Sequence, residues 1–177
     1  MVTKDVQVLK NADKLILPGV GAFGDAAEKL RETKLDQVII EEAKNGKPLL
    51  GICLGMQLLF DCSYEYGKHD GLGLISGEVK AMEGVIDPSL KIPHIGWNAL
   101  AFKQPSVLFK YIQDGDYVYF VHSYAAVHCD EAVIATSEYD MQVTAAVQKG
   151  RVYGCQFHPE KSGEVGLNIL RAFCEEG

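Results

Sequence analysis

The chain has 177 residues, with 17 lysines and arginines against 24 aspartates and glutamates, for a formal net charge of −7. Apolar residues make up 47% and charged residues 23%, which suits a single globular domain over 1–177 and argues against wholesale disorder. The acidic sum offers no electrostatic footprint for nucleic acid or an anionic membrane, no run approaches the ~18 apolar residues of a membrane span, and the opening MVTKDVQVLKNADK lacks a signal-peptide core, so a cytoplasmic protein is expected.

In chain order, Lys14–Leu17 reads as a short strand ending in Pro18-Gly19-Val20-Gly21. A helical pattern follows, with Ala26, Ala27 and Leu30, then Leu35, Val38, Ile39 and Ala43 on one face. Gly46 and Pro48 mark its end. Pro48–Ile52 is a continuous apolar strand of the kind buried in a parallel sheet. A helix opens just after Cys53, with Leu54, Leu58 and Leu59 inward. Further on, Leu72–Ile75 and Glu78–Ala81 flank a Ser76-Gly77 turn. Asp116–Ser123, Glu131–Thr136, Gln142–Gln148 and Val152–Gln156 read as strands, the last two joined as a hairpin by Lys149-Gly150. Ser162 is a plausible N-cap for a final helix to Cys174, with Val165, Ile169, Leu170 and Phe173 inward. The expected fold class is α/β: a mostly parallel sheet with an antiparallel extension and helices on both faces.

Three segments carry chemistry. In Leu49-Leu50-Gly51-Ile52-Cys53-Leu54-Gly55-Met56-Gln57 a buried strand delivers a cysteine to a turn at the start of a helix. That is a nucleophile elbow with sulfur in place of oxygen. The helix N-terminus is expected to draw the thiol toward thiolate, and the Leu54 N–H to serve an oxyanion. A buried core cysteine at a strand end is the bland alternative. The second segment, Tyr153 to Glu160, delivers His158 after a strand, with Pro159 stiffening the link to Glu160. A cysteine nucleophile needs a base, and the base needs a group that fixes its tautomer. The third, Pro18-Gly19-Val20-Gly21-Ala22-Phe23-Gly24, is a glycine loop between strand and helix. It suits backbone N–H donors to an oxyanion but lacks the lysine of a Walker loop. His94 and His122 have no third ligand at a sensible spacing, so neither a metal nor another cofactor is expected. The five cysteines form no C-x-x-C pair and are expected to be free and buried.

These segments resemble the class I (triad) glutamine amidotransferases. The matching stretches are LILPGVGAFG (15–24), PLLGICLGMQLLF (48–60), GLGLISGEV (71–79), KIPHIGWN (91–98), YFVHSY (119–124) and GCQFHPEKSGEVGLNILRAF (154–173). PGVGAFG, PHIGWN and HPEKS narrow the likeness to the glutaminase subunits of imidazole glycerol phosphate synthase, with a flavodoxin-like fold. The resemblance implies that Cys53 attacks glutamine, that His158 moves protons and that Glu160 orients it. It implies an oxyanion hole from Leu54 and the Val20-Gly21 backbone, in a loop that rearranges when the partner is loaded. Gly19, Gln57, Ser123 and Tyr124 match substrate-binding positions. Trp97, Tyr119 and Lys161 match an interface with a cyclase subunit, a (β/α)8 barrel that receives the ammonia. The family's usual start includes a further β-α unit of roughly 30 residues, whereas this chain enters around Val2-Thr3. An exposed edge on Lys14–Leu17 is therefore expected. Alternatives are the glutaminase of another amidotransferase, a solitary cysteine hydrolase of the γ-glutamyl hydrolase type, or an inactive partner-binding homologue.

Overall fold

The apolar run at Leu49–Cys53 (β2) becomes a fully buried interior strand of a six-stranded sheet in the computed structural model, which describes residues 1–176. The elements run α1 (Val6–Asn11), β1 (Leu15–Gly19), α2 (Phe23–Glu32), α3 (Leu35–Lys44), β2, α4 (Leu54–Gln57), β3 (Cys62–Ser63), β4 (His69–Asp70), β5 (Glu78–Ala81), β6 (His94–Ala99), β7 (Ala101–Phe102), β8 (Tyr117–His122), β9 (Tyr124–Val127), β10 (Val133–Glu138), β11 (Gln142–Lys149), β12 (Val152–Cys155) and α5 (Gly163–Glu176). The main sheet has the order β1-β2-β12-β11-β10-β7. It is parallel across β1, β2 and β12, where the cysteine and histidine segments emerge, and antiparallel beyond. A four-stranded sheet β4-β3-β5-β9 and a two-stranded ribbon β6-β8 complete the β structure.

Side chains alternate across β2 as pleating requires. Leu50 and Ile52 join Tyr153, Phe157, Ile169 and Phe173 under α5. Leu49 joins Ile39, Met56, Leu59 and Val147 on the opposite face. The sheet is thus covered on both faces, as an α/β architecture demands. Lys14 secures one corner by donating from Nζ to the carbonyls of Phe173 and Cys174 at the end of α5, at 3.0 and 2.8 Å.

Four features depart from the sequence reading. The helical pattern after the glycine loop is two helices, because Lys34 takes a left-handed φ of 57° between α2 and α3. Leu72–Ile75 is not a strand. Its N–H groups donate to the carbonyls of Leu58, Phe60 and Leu59 in the turn that follows α4, itself a single turn. Val2-Thr3 belongs to no strand, and Asp5 instead caps α1 through its carboxylate. Cys174 is exposed, unlike the other four free cysteines. β1 lies at the edge of the main sheet and pairs only with β2 among the described residues.

The close approach of α4 to the sheet needs glycine. A Cβ on Gly55 would lie 1.7 Å from the Leu17 carbonyl oxygen of β1, and one on Gly51 would lie 2.6 Å from the Gly55 oxygen. Gly55→Ala is expected to cost at least ~3 kcal/mol, the upper range for overpacking. That equals roughly 6–12 °C in Tm at this chain length, read by thermal denaturation.

Candidate active site

Cys53 is the junction of β2 and α4, with φ 54° and ψ −113°. A non-glycine residue reaches this region only when its surroundings force it. Here the force is the close approach of α4 to β1 and β2 described above. The turn aims the sulfur into a cavity of about 510 Å³, within the usual range for small-ligand sites. Val20, Gly21, Leu54, Gln57, Ser123, Tyr124, His158 and Lys161 line the same cavity.

His158 follows β12 and is anchored on three sides. Its N–H donates to the Tyr119 carbonyl at 2.9 Å. Ser162 Oγ donates to the His158 carbonyl at 2.6 Å and accepts the Tyr119 N–H at 2.9 Å. The Ser162 hydroxyl therefore ties the His158 turn to β8, rather than serving as the helix cap that its position suggests. Glu160 Oε1 lies 2.7 Å from His158 Nδ1. A carboxylate accepts, so Nδ1 carries the proton and Nε2 keeps its lone pair, the state a general base requires.

The Cys53 thiol is pushed up from its ordinary value, chiefly by burial. The Leu54 N–H and the Lys161 charge oppose the rise, while Glu160 adds to it. This corrects the expectation that the helix start draws the thiol toward thiolate. A single-turn helix supplies little dipole, and a residue only 9% exposed has lost most of its water. The thiol of the free chain thus needs a base to ionise it.

Of the residues singled out in the sequence, Gly19 falls outside the cavity. It packs beneath the elbow, where a Cβ would lie 3.1 Å from the Gly55 nitrogen and the Leu54 Cβ. Trp97 and Tyr119 also lie elsewhere, as a cross-strand pair on the β6–β8 ribbon with ring centroids 5.9 Å apart. The ribbon alternates strictly. Ile95, Trp97 and Tyr117 are more than half exposed on one face, whereas His94, Val118, Phe120 and His122 are buried on the other. His94 and His122, passed over as unlikely metal ligands, are hydrogen-bonded ring to ring at 3.0 Å.

The structure also adds residues that the sequence reading left without a role. Glu65 borders the cavity and accepts the Phe23 N–H at the start of α2 at 2.7 Å, so one carboxylate touches both the glycine loop and the cavity. No motif surrounds Glu65 to single it out. Gln156, fully buried, accepts from Gln57 Nε2 at 3.0 Å and turns its own Nε2 toward Cys53 Sγ at 3.8 Å. A depression of similar size, about 480 Å³, lies around His128 and Cys129, but its thiol faces the Thr144 hydroxyl, while the His128 ring pairs with Glu78 at 3.1 Å.

Comparison with known proteins is consistent across sequence and fold. The family model for glutamine amidotransferase class-I matches residues 2–176. The imidazole glycerol phosphate synthase subunit HisH of Oceanobacillus iheyensis is 50% identical over 99% of this chain and 86% of its own. The subunit of the same name from a Geobacillus species is 53% identical over 98% and 83%. That from Aquifex aeolicus is 48% identical over 98% and 82%. Among solved structures, a glutamine amidotransferase superposes with a TM-score of 0.72 at 19% identity, covering 97% of this chain and 85% of the other. The glutaminase domain of Trypanosoma brucei CTPS gives 0.66 at 17% identity, covering 97% and 75%.

The raised Cys53 thiol sets a pH dependence. Thiolate is the form that alkylates, so iodoacetamide labelling of Cys53 in the free chain should be slower at pH 7 than for an exposed thiol. It should go on accelerating beyond the pH at which a free thiol levels off. Mass spectrometry of the Cys53 peptide across pH 6–10 checks this, and a plateau near neutrality would contradict it.

Proposed function

The chain belongs to the class-I glutamine amidotransferase family, and from that premise we propose that it is the glutaminase subunit of an imidazole glycerol phosphate synthase, acting in the cytoplasm on histidine biosynthesis. The observation that carries this reading is the cysteine elbow and the carboxylate-held histidine opening into one cavity. It is joined by about 50% identity to subunits of that name over nearly the whole chain.

In this reading His158 Nε2 takes the proton from Cys53, and the sulfur attacks the side-chain carbonyl of glutamine. The oxyanion forms against the Leu54 N–H and the Val20-Gly21 backbone. His158 then returns its proton to the amide nitrogen, the C–N bond breaks and ammonia leaves a γ-glutamyl thioester. The same Nε2 removes a proton from water, which attacks the thioester. Glutamate departs and the thiol is restored. Gln57, Ser123 and Tyr124 line the part of the cavity suited to the substrate's polar end, where Glu65 would face its ammonium. Glu160 accepts from Nδ1 throughout and holds the ring in place.

The partner in this reading is the (β/α)8-barrel cyclase, and its docking surface is the exposed face of the β6–β8 ribbon. An exposed tryptophan crossed by a tyrosine suits the buried aromatic centre of an interface. Lys161 lines the cavity, and in this reading it borders the path that ammonia takes toward the partner. Among the described residues no helix is long and apolar enough to cross a membrane.

Two measurements test this. Glutamate release from glutamine should be low for the chain alone, rise at least tenfold with a cyclase subunit bearing its ribotide ligand, and vanish in Cys53→Ala. Release independent of the cyclase would favour a solitary hydrolase. Trp97→Ala should weaken cyclase binding by about 30-fold or more, the threshold of an interface hot spot, with an unchanged far-ultraviolet spectrum.

A further inference from the structure

The buried polar groups behind the cavity form a single chain. His122 Nδ1 lies 2.8 Å from the Tyr124 carbonyl, which only accepts, so Nδ1 carries the His122 proton and Nε2 is bare. His94 Nδ1, 3.0 Å from that Nε2, can hydrogen-bond to it only as a donor. The His94 ring has little freedom to turn away. It stacks on Tyr139 at 3.9 Å and on Phe120 at 5.0 Å between centroids, and it is fully buried. At the other end, the Tyr124 carbonyl also accepts from Gln57 Nε2 at 3.2 Å. Gln57 Nε2 donates its second hydrogen to Gln156 Oε1, which leaves Gln156 Nε2 to face Cys53 Sγ. Two runs of donors meet at the Tyr124 carbonyl, which accepts from His122 on one side and Gln57 on the other. The chain runs from His94 through His122, the Tyr124 carbonyl, Gln57 and Gln156 to the nucleophilic sulfur.

His94 takes part in nothing else described above. It borders neither the cavity nor the outer face of the ribbon. Yet it sits on β6, three residues from Trp97, and is paired in register with His122 as Trp97 is with Tyr119. His94 Nε2 also faces Asn98 Oδ1 at 2.8 Å. Asn98 Nδ2 donates to the Glu138 carbonyl at 3.1 Å, which turns Oδ1 toward His94, so that oxygen and His122 Nε2 compete for the single proton of a neutral His94, and the chain requires it on Nδ1.

We propose that His94, His122 and Gln156 act as one positioning unit, through which the place of the β6–β8 ribbon sets the hydrogen bond on the Cys53 sulfur and the orientation of Gln57. Gln156 touches the reacting atom and is a catalytic residue; His94 and His122 are positioning residues that act through it. This rests on Cys53 being the nucleophile of the glutaminase. Alkylation reads the sulfur without any substrate, so it separates failure of the unit from failure of that reading.

The first test needs no variant. Nitrogen-15 spectra of the wild-type histidine rings should show His122 protonated at Nδ1 and bare at Nε2, and the opposite tautomer would overturn the proposal. Gln156→Leu should then lower the Cys53 thiolate fraction by about three- to tenfold, the worth of one lost hydrogen bond, seen as a higher midpoint in the iodoacetamide pH profile. His94→Leu should move the midpoint the same way by less, and His94→Asn, which keeps an N–H near the Nδ1 position, should restore it. In the cyclase complex the same variants should lower kcat for glutamate release more than they raise KM. The double variant should match Gln156→Leu alone, because His94 acts only through Gln156. Independent effects that multiply, or a midpoint unmoved in Gln156→Leu, would overturn the unit. If His94→Leu does not fold, His94→Asn against His94→Gln carries the same contrast, since the second moves the N–H toward the Nε2 position. Equal midpoints for those two would likewise overturn it.

Discussion

The structure turns on the contact between the Gly55 backbone and the Leu17 carbonyl. It lets a one-turn helix lie directly against β1 and β2, and that approach holds Cys53 at a φ no unsupported cysteine would keep. The parallel edge of the sheet exists to brace this turn. β12, on the other side of β2, brings His158 to the same end. The glycine loop after β1 arrives alongside because β1 and β2 are in register from Leu15–Leu49 to Gly19–Cys53. The cysteine, the histidine and the glycine loop thus share one origin at the ends of three adjacent parallel strands, where α/β folds place their sites.

The same enclosure that fixes the sulfur also starves it of water. Burial outweighs the Leu54 N–H and the Lys161 charge, so the resting thiol is protonated. A mechanism with a histidine base is suited to such a thiol, since the charge then appears only when substrate is there to receive it. Burial likewise pushes His122 down to about 4 and holds His94 below the usual imidazole range. Both rings therefore serve at neutral pH as uncharged hydrogen-bonding groups, ordered by which nitrogen faces a carbonyl.

Much of this was legible in the chain. The run Leu49–Cys53 with glycines on either side, and His158-Pro159-Glu160 after a strand, are local patterns whose geometry follows from residue type. The α/β class followed from alternating apolar runs. What escaped had no local signature. The β6 strand alternates His94, Gly96 and Asn98 with Ile95, Trp97 and Ala99, but it buries His94 and exposes Ile95 and Trp97, the reverse of the usual pattern, and only its partner β8 defines it. Leu72–Ile75 has strand-like composition, but its N–H groups are claimed by the carbonyls of the turn that follows α4. The split between α2 and α3 turns on one left-handed lysine, which no periodicity marks. Glu65 and Gln156 owe their roles to residues 42 and 103 positions away, a relation that only folding makes.

The two faces of the β6–β8 ribbon have a consequence for how such a protein can diverge. Neighbouring codons encode side chains that answer to different selective pressures: Ile95, Trp97 and Tyr117 to whatever surface they meet, His94, Phe120 and His122 to the interior. Drift at alternate positions could therefore recruit a new acceptor for the released ammonia while the hydrolytic machinery stays under its own purifying selection. A strand's period of two thereby becomes a means of modular inheritance, in which a lineage could exchange its collaborator without reinventing its chemistry.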